Sequence, residues 1–153
     1  MMYSGKTVAL GVVVGLIGAA ATIYFAPLKW VNLIEPRMND IDASEFHAAL
    51  TAEPEKYVFI DVRPAETYNA AHAQGSISHP IADLYDLHET LPRSGKTIVL
   101  ICSSGRLAGV AYGYLEREGF QNLARLEGGV QAWALAGLPI EGDNLSAPIP
   151  ARD

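Results

Sequence analysis

The chain holds one cysteine, Cys102, within "TIVLICSSGRLAGVAYGYLEREGF" at residues 97–120. It stands where a run of apolar and β-branched residues ends and a glycine-broken turn leads into a helix-forming segment. A buried cysteine is commonly an inert small hydrophobe. Its place at a strand end before Ser-Ser-Gly-Arg points instead to a reactive thiol. A loop "SSGRLA" between strand and helix can turn several backbone N–H groups toward one point, where the helix dipole adds positive potential. Such surroundings stabilise a thiolate, or a persulfide anion, near neutral pH. Gly105 suits a loop that needs a positive φ, or a backbone with no Cβ facing the sulfur. Ser103 and Ser104 can add hydroxyl donors or serve only to form the turn, and Arg106 can attract an anionic reactant. Leu107 and Ala108 complete the loop.

Other residue sets are weaker. A single thiol excludes an internal disulfide, a CxxC redox pair and a multi-thiolate zinc site. His47, His72, His79 and His88 show no metal-ligand spacing, so neither a metal nor another cofactor is expected. Asp61 and Arg63 follow an apolar run, with Glu66 within reach of Arg63. They either wall a cleft beside the thiol or form an ion pair that fixes their loop, and the second is favoured because such charges commonly organise turns. Gly128 and Gly129 are expected to allow a tight turn that brings their loop beside the thiol. Trp133 is expected in the core.

The elements that must position these residues alternate along the chain. A small strand is predicted to end near Ile41, and Asp42 or Ser44 to cap a helix through about Ala52. "YVFID" at 57–61 is a strand, Pro64 opens a helix containing Glu66 and Tyr68, and "GSISHPI" at 75–81 is a short strand stopped by Pro80. "IADLYDLHETL" reads as a helix and "TIVLIC" as a second buried strand. A helix from Arg106 to Glu118 stops at Gly119, "NLARLE" is a strand, and "VQAWALAG" is a last helix closed by Gly137 and Pro139. The fold class is therefore α/β, a mostly parallel sheet with helices on both faces. In such sheets ligands bind at the carboxyl ends of strands, where Cys102 stands.

These residues resemble the rhodanese-like, single-domain sulfurtransferase family. "DVRPAETYNAAHAQGSISHPI" at 61–81 is similar to its Asp-x-Arg, Glu-x-Tyr or Phe, and His-x-x-Gly pattern, "CSSGRLAG" to its active-site loop, and "GFQNLARLEGGVQAWALAGLPIE" at 119–141 to its carboxyl-terminal signature. The resemblance covers residues 38–141. It implies a rhodanese-like fold and a cycle in which Cys102 takes sulfane sulfur from thiosulfate or a polysulfide and holds it as a persulfide. A thiophilic acceptor, cyanide or a thiol, then removes the sulfur. The loop from Ser103 to Ala108 would bind the anionic sulfur, with Asp61, Arg63, Gly128 and Gly129 supporting the cleft. Leu107 and Ala108 depart from the basic residue and the serine or threonine common at those places, which bears on donor preference. Ala71 and Ala73 depart from a usual glycine and a usual β-branched residue, which bears on packing. The related Cys-x5-Arg phosphatase loop is not matched, because Ala108 holds the arginine's place. A rival of another class is a non-catalytic binding module on the same fold.

The remaining quarter of the chain differs in kind. Residues 8–26, "VALGVVVGLIGAAATIYFA", carry no charge, lie between Lys6 and Lys29, and precede Trp30. They are long enough to cross a hydrocarbon core, and residues 1–28 are read as an uncleaved transmembrane signal anchor rather than a cleaved signal peptide. Gly11, Gly15 and Ala19 form a small-residue face through which two such helices could pair as a homodimer, although glycine and alanine are common in spans. Residues 29–37 are a linker and 142–153 a flexible tail. The expected location is a single-pass membrane protein with its domain on the extracytoplasmic side. Net charge is −6 over 153 residues, and every Asp and Glu lies beyond Leu33. So acidic a domain offers no basic stripe, and nucleic acid is not expected as a partner.

Overall fold

The computed structural model describes residues 38–145. In chain order its main elements are β1 (Asp40–Ile41), α1 (Ala43–Ala52), β2 (Tyr57–Asp61), α2 (Ala65–Ala70), β3 (His72–Ala73), β4 (Ile77–Ser78), α3 (Leu84–Leu87), β5 (Thr97–Ile101), α4 (Arg106–Arg117), β6 (Leu123–Leu126), α5 (Gly129–Leu135) and β7 (Ile140–Glu141). The expected membrane helix, the linker and residues 146–153 lie outside the described residues. Among the described residues no helix is long and apolar enough to cross a membrane.

Five strands form a wholly parallel sheet in the order β1-β6-β5-β2-β4. A parallel strand covered on both faces needs apolar residues at every position, and β5 supplies them. Ile98 and Leu100 enter the core under α4, while Val99 and Ile101 enter the opposite core under α1 and α5. β2 divides in the same way, Ile60 to the first core and Phe59 to the second. Ala108, Ala111, Tyr112 and Leu115 bury one face of α4. On the other side Phe46 meets Phe59 edge-on, with ring centroids 4.8 Å apart, and Trp133 closes the cluster with its indole N–H donating to the Pro139 carbonyl at 2.8 Å.

Local chemistry sets the ends of the elements. Asp42 caps α1, its Oδ1 accepting from the amides of Ser44 at 2.8 Å and Glu45 at 3.1 Å. Gly119, at φ +90°, stands just past α4, at the stop the sequence predicts. Pro64 precedes α2 with an extended backbone instead of occupying its first turn.

Two expectations are corrected. "IADLYDLHETL" is not one helix: α3 is a single four-residue turn flanked by 3₁₀ turns at Ile81–Asp83 and His88–Thr90. Pro80 and Leu91, the residue before Pro92, are extended at the two ends, and Thr90 Oγ1 donates to the Leu87 carbonyl at 2.8 Å, in competition with the helix's own hydrogen bonds. The start of the tail is not loose: the amides of Asp143 and Asn144 donate to the carbonyls of Asn69 and Ala70 at 2.8 and 2.9 Å. Those carbonyls at the end of α2 have no partner within the helix and need one. A further pairing is absent from the sequence reading, the antiparallel ladder of β3 with β7, because two-residue strands are too short to show periodicity.

Candidate functional site

Cys102 is the first residue past β5, and its side chain continues the alternation of Ile98 and Leu100 into the core beneath α4. It is fully buried. The chain then turns through Ser103 and Ser104 to Gly105, whose N–H donates to the Cys102 sulfur at 3.1 Å. Gly105 has φ +94°, and an added Cβ would come no closer than 3.6 Å to a neighbour, so backbone angle and not crowding selects glycine there.

A second loop locks the first. Gly128, just before α5, and Gly129, its first residue, take φ of +69° and +63°. The amides of Val130 and Gln131 then donate to the carbonyls of Cys102 and Ser103 at 2.8 and 3.1 Å. A Cβ at Gly129 would lie 2.3 Å from the Cys102 carbonyl oxygen, so only glycine permits the approach. With its carbonyls held on the α5 side, the cysteine loop presents the Gly105 N–H to the sulfur, at the start of α4 where the helix dipole is positive. An anion on the sulfur would be stabilised by both.

The remaining loop residues divide by exposure. Ser103 is buried, Ser104 half-buried, and Arg106, the first residue of α4, is exposed. Leu107 packs against the core and Ala108 is fully buried.

Asp61 and Arg63 lie one strand over, with Asp61 in register with Ile101 and the Val62 amide bonded to the Ile101 carbonyl at 3.0 Å. Both are buried, at 0% and 1% exposure. Arg63 Nη2 meets Asp61 Oδ2 at 2.7 Å and the Ala71 carbonyl at 2.8 Å, and the Arg63 amide donates to Asp61 Oδ1 at 3.0 Å. Arg63 thus turns to Asp61 and away from the exposed Glu66. The pair is a brace for the end of β2. The histidines are dispersed: His47 lies edge-on to Trp133, His72 stacks on Tyr68, His88 contacts Tyr114, and His79 follows β4.

One residue of this neighbourhood escapes the sequence reading. Arg125 interrupts the apolar strand β6, and its guanidinium forms a two-point pair with Asp40 of β1, Nε to Oδ1 at 2.7 Å and Nη2 to Oδ2 at 2.8 Å. Its Nη1 donates to the Gly105 carbonyl at 3.4 Å. A charge inside "LARL" is the available signal, but its partner is 85 residues away.

Known proteins resemble this chain in sequence and in fold. The family model for the Rhodanese-like domain matches residues 42–136. A tRNA uridine(34) hydroxylase of Staphylococcus epidermidis is 35% identical over 94 residues, which cover 58% of this chain and 29% of that protein. A crystal structure of a rhodanese-related protein from Thermoplasma volcanium superposes with a TM-score of 0.59 at 28% identity, covering 69% of this chain and 99% of that one. A thiosulfate sulfurtransferase from Pseudomonas aeruginosa shares the fold, with a TM-score of 0.61 at 24% identity over 69% of this chain and 20% of that one. The chain spans less than half the length of the curated relatives it matches.

Proposed function

Because the chain belongs to the rhodanese-like family, we propose that it is a membrane-anchored, single-domain sulfurtransferase that carries sulfane sulfur as a persulfide on Cys102. The observation that carries this reading is the Gly105 N–H directed at the Cys102 sulfur at 3.1 Å, in a loop that opens a helix. A thiolate or persulfide anion gains a charge-assisted hydrogen bond and the helix dipole there, from the chain's own backbone.

The cycle has two steps. The Cys102 thiolate attacks the sulfane sulfur of thiosulfate, forming a new S–S bond while the donor's S–S bond breaks and sulfite leaves with the electron pair. A thiophilic acceptor, cyanide or a thiol, then attacks the outer sulfur and regenerates the thiolate. A polysulfide would serve as donor in the same way. The half-buried Ser104 and the exposed Arg106 line the approach for an anionic donor, the buried Ser103 forms the turn behind them, and Asp61, Arg63, Gly128 and Gly129 hold the surrounding backbone. The acidic composition suits small reactants and not nucleic acid.

In this reading residues 1–28 anchor the chain in a membrane, 29–37 link it to the domain at 38–141, and 142–153 form the tail. The charge-free stretch at 8–26 supports the anchor, with the domain on the extracytoplasmic side and a helix pair through Gly11, Gly15 and Ala19.

One observation favours a second reading, a tethered binding module without turnover: the sulfur is fully buried. Intact mass of the full-length chain after exposure to thiosulfate decides between them. The catalytic reading expects one added sulfur atom, absent from Cys102→Ser and removed by cyanide. No gain from thiosulfate or from a polysulfide leaves the binding module.

A further inference from the structure

Within the loop Arg106 is exposed to solvent, and Leu107 and Ala108 are apolar. A second cation reaches the loop from beneath. Arg125 projects from β6 under the first turn of α4, close against Gly109, where a Cβ would lie 3.0 Å from Arg125 Nη1. The guanidinium ends on the Gly105 carbonyl, which also accepts the Gly109 amide at 3.0 Å. That carbonyl therefore has both lone pairs occupied, and the Gly105 residue, whose N–H meets the sulfur, is held from its other side.

We propose that Arg125 is the fixed cation of the Cys102 loop, a positioning residue that holds Gly105 and favours the anionic form of the sulfur. The inference rests on the sulfur-carrying reading of Cys102. Asp40 fixes the guanidinium by its two-point pair and partly offsets its charge. The electrostatics agree with the geometry: Asp40 foremost, and more weakly Glu127 and the charge of Cys102, hold the Arg125 pKa above its ordinary value. The other charged groups at the Cys102 ends of the elements around it are Asp61, Arg63, Arg106 and Glu127. The Asp61–Arg63 pair neutralises itself, and Arg106 and Glu127 are exposed to solvent.

Titration of the ultraviolet absorbance of the Cys102 thiolate in the full-length chain, with the Cys102→Ser signal subtracted, tests the assignment without relying on turnover. Arg125→Gln is expected to raise the midpoint by about one pH unit, a tenfold loss of thiolate below it. Arg125→Lys keeps the charge and is expected to restore most of that loss. Arg125→Met, which also removes the charge, is expected to raise the midpoint likewise. An unchanged midpoint in a folded neutral variant overturns the proposal. Thermal unfolding of each variant shows which are folded, and if Arg125→Gln is not, Arg125→Met decides. Sulfur uptake by mass is measured alongside: shifted midpoints in a chain that takes up no sulfur uphold Arg125 and reject the sulfurtransferase reading, while uptake with unshifted midpoints does the reverse.

Discussion

A methyl group added at Gly129 would sit 2.3 Å from the Cys102 carbonyl oxygen and 2.6 Å from that of Ser103, in a residue already at φ +63°. Neither obstacle is a flexible side-chain tip. To accept it, the turn must withdraw from the cysteine loop and give up the two hydrogen bonds that Val130 and Gln131 donate there. Gly129→Ala is therefore expected to destabilise the domain by about 3 kcal/mol or more, from backbone strain and lost hydrogen bonds together. Gly113, in the middle of α4, has no positive φ, and a methyl group there would meet nothing within 4 Å. Gly113→Ala should stabilise by about 0.5–1 kcal/mol, because it only removes backbone freedom from the unfolded chain. Urea denaturation of the two variants beside the parent checks both, and similar midpoints for the pair would sink the argument from close approach.

Helix α2 shows how an element with little core of its own is held. None of its residues is buried and no side chain caps its start. Besides the bonds from residues 143 and 144 to its last carbonyls, it is fastened by Tyr68, whose hydroxyl donates to the Ser76 carbonyl at 2.6 Å and whose ring stacks on His72 at 3.8 Å between centroids. Burial raises the Tyr68 pKa above the usual phenol range. A folded-state pKa above the unfolded one means that this contribution to stability is complete below the ordinary tyrosine value of about 10 and is lost as pH rises through the folded value. Stability is thus expected to fall above about pH 10, and less steeply in Tyr68→Phe. Urea midpoints across alkaline pH, parent against variant, give the measurement, and equal slopes would reject the role. The same element marks where reading the sequence succeeds and fails. β5 and β2 are plain in the sequence because full burial demands an unbroken apolar run, and the glycines at 105, 128 and 129 signal turns near the thiol. The β3–β7 ladder, the anchored residues 143 and 144 and the Arg125–Asp40 pair depend on chain segments tens of residues apart, which no local pattern encodes.

At the scale of the whole molecule, one thiol sets a constraint. No second cysteine exists to resolve a persulfide, so a sulfur taken up by Cys102 must leave to an external acceptor or a partner protein. On the proposed reading the amino-terminal segment decides which acceptors those are, because a tethered domain exchanges with species near the bilayer. The charge-free stretch from Val8 to Ala26, about 28 Å long as a helix, matches a hydrocarbon core, and Lys6, Lys29 and Trp30 suit its two interfaces. The domain's acidic composition gives it no attraction of its own for an anionic bilayer, so on this reading that stretch alone would hold the chain to a membrane. The full-length chain is therefore expected to sediment with membranes through an alkaline wash and to be released by detergent. A chain beginning at Met38 is expected in the supernatant while still gaining sulfur from thiosulfate. Recovery of the full-length chain in the wash supernatant would remove the tether and leave the chemistry of Cys102 standing, because Gly105, Arg125 and Val130, on which that reading rests, belong to the domain.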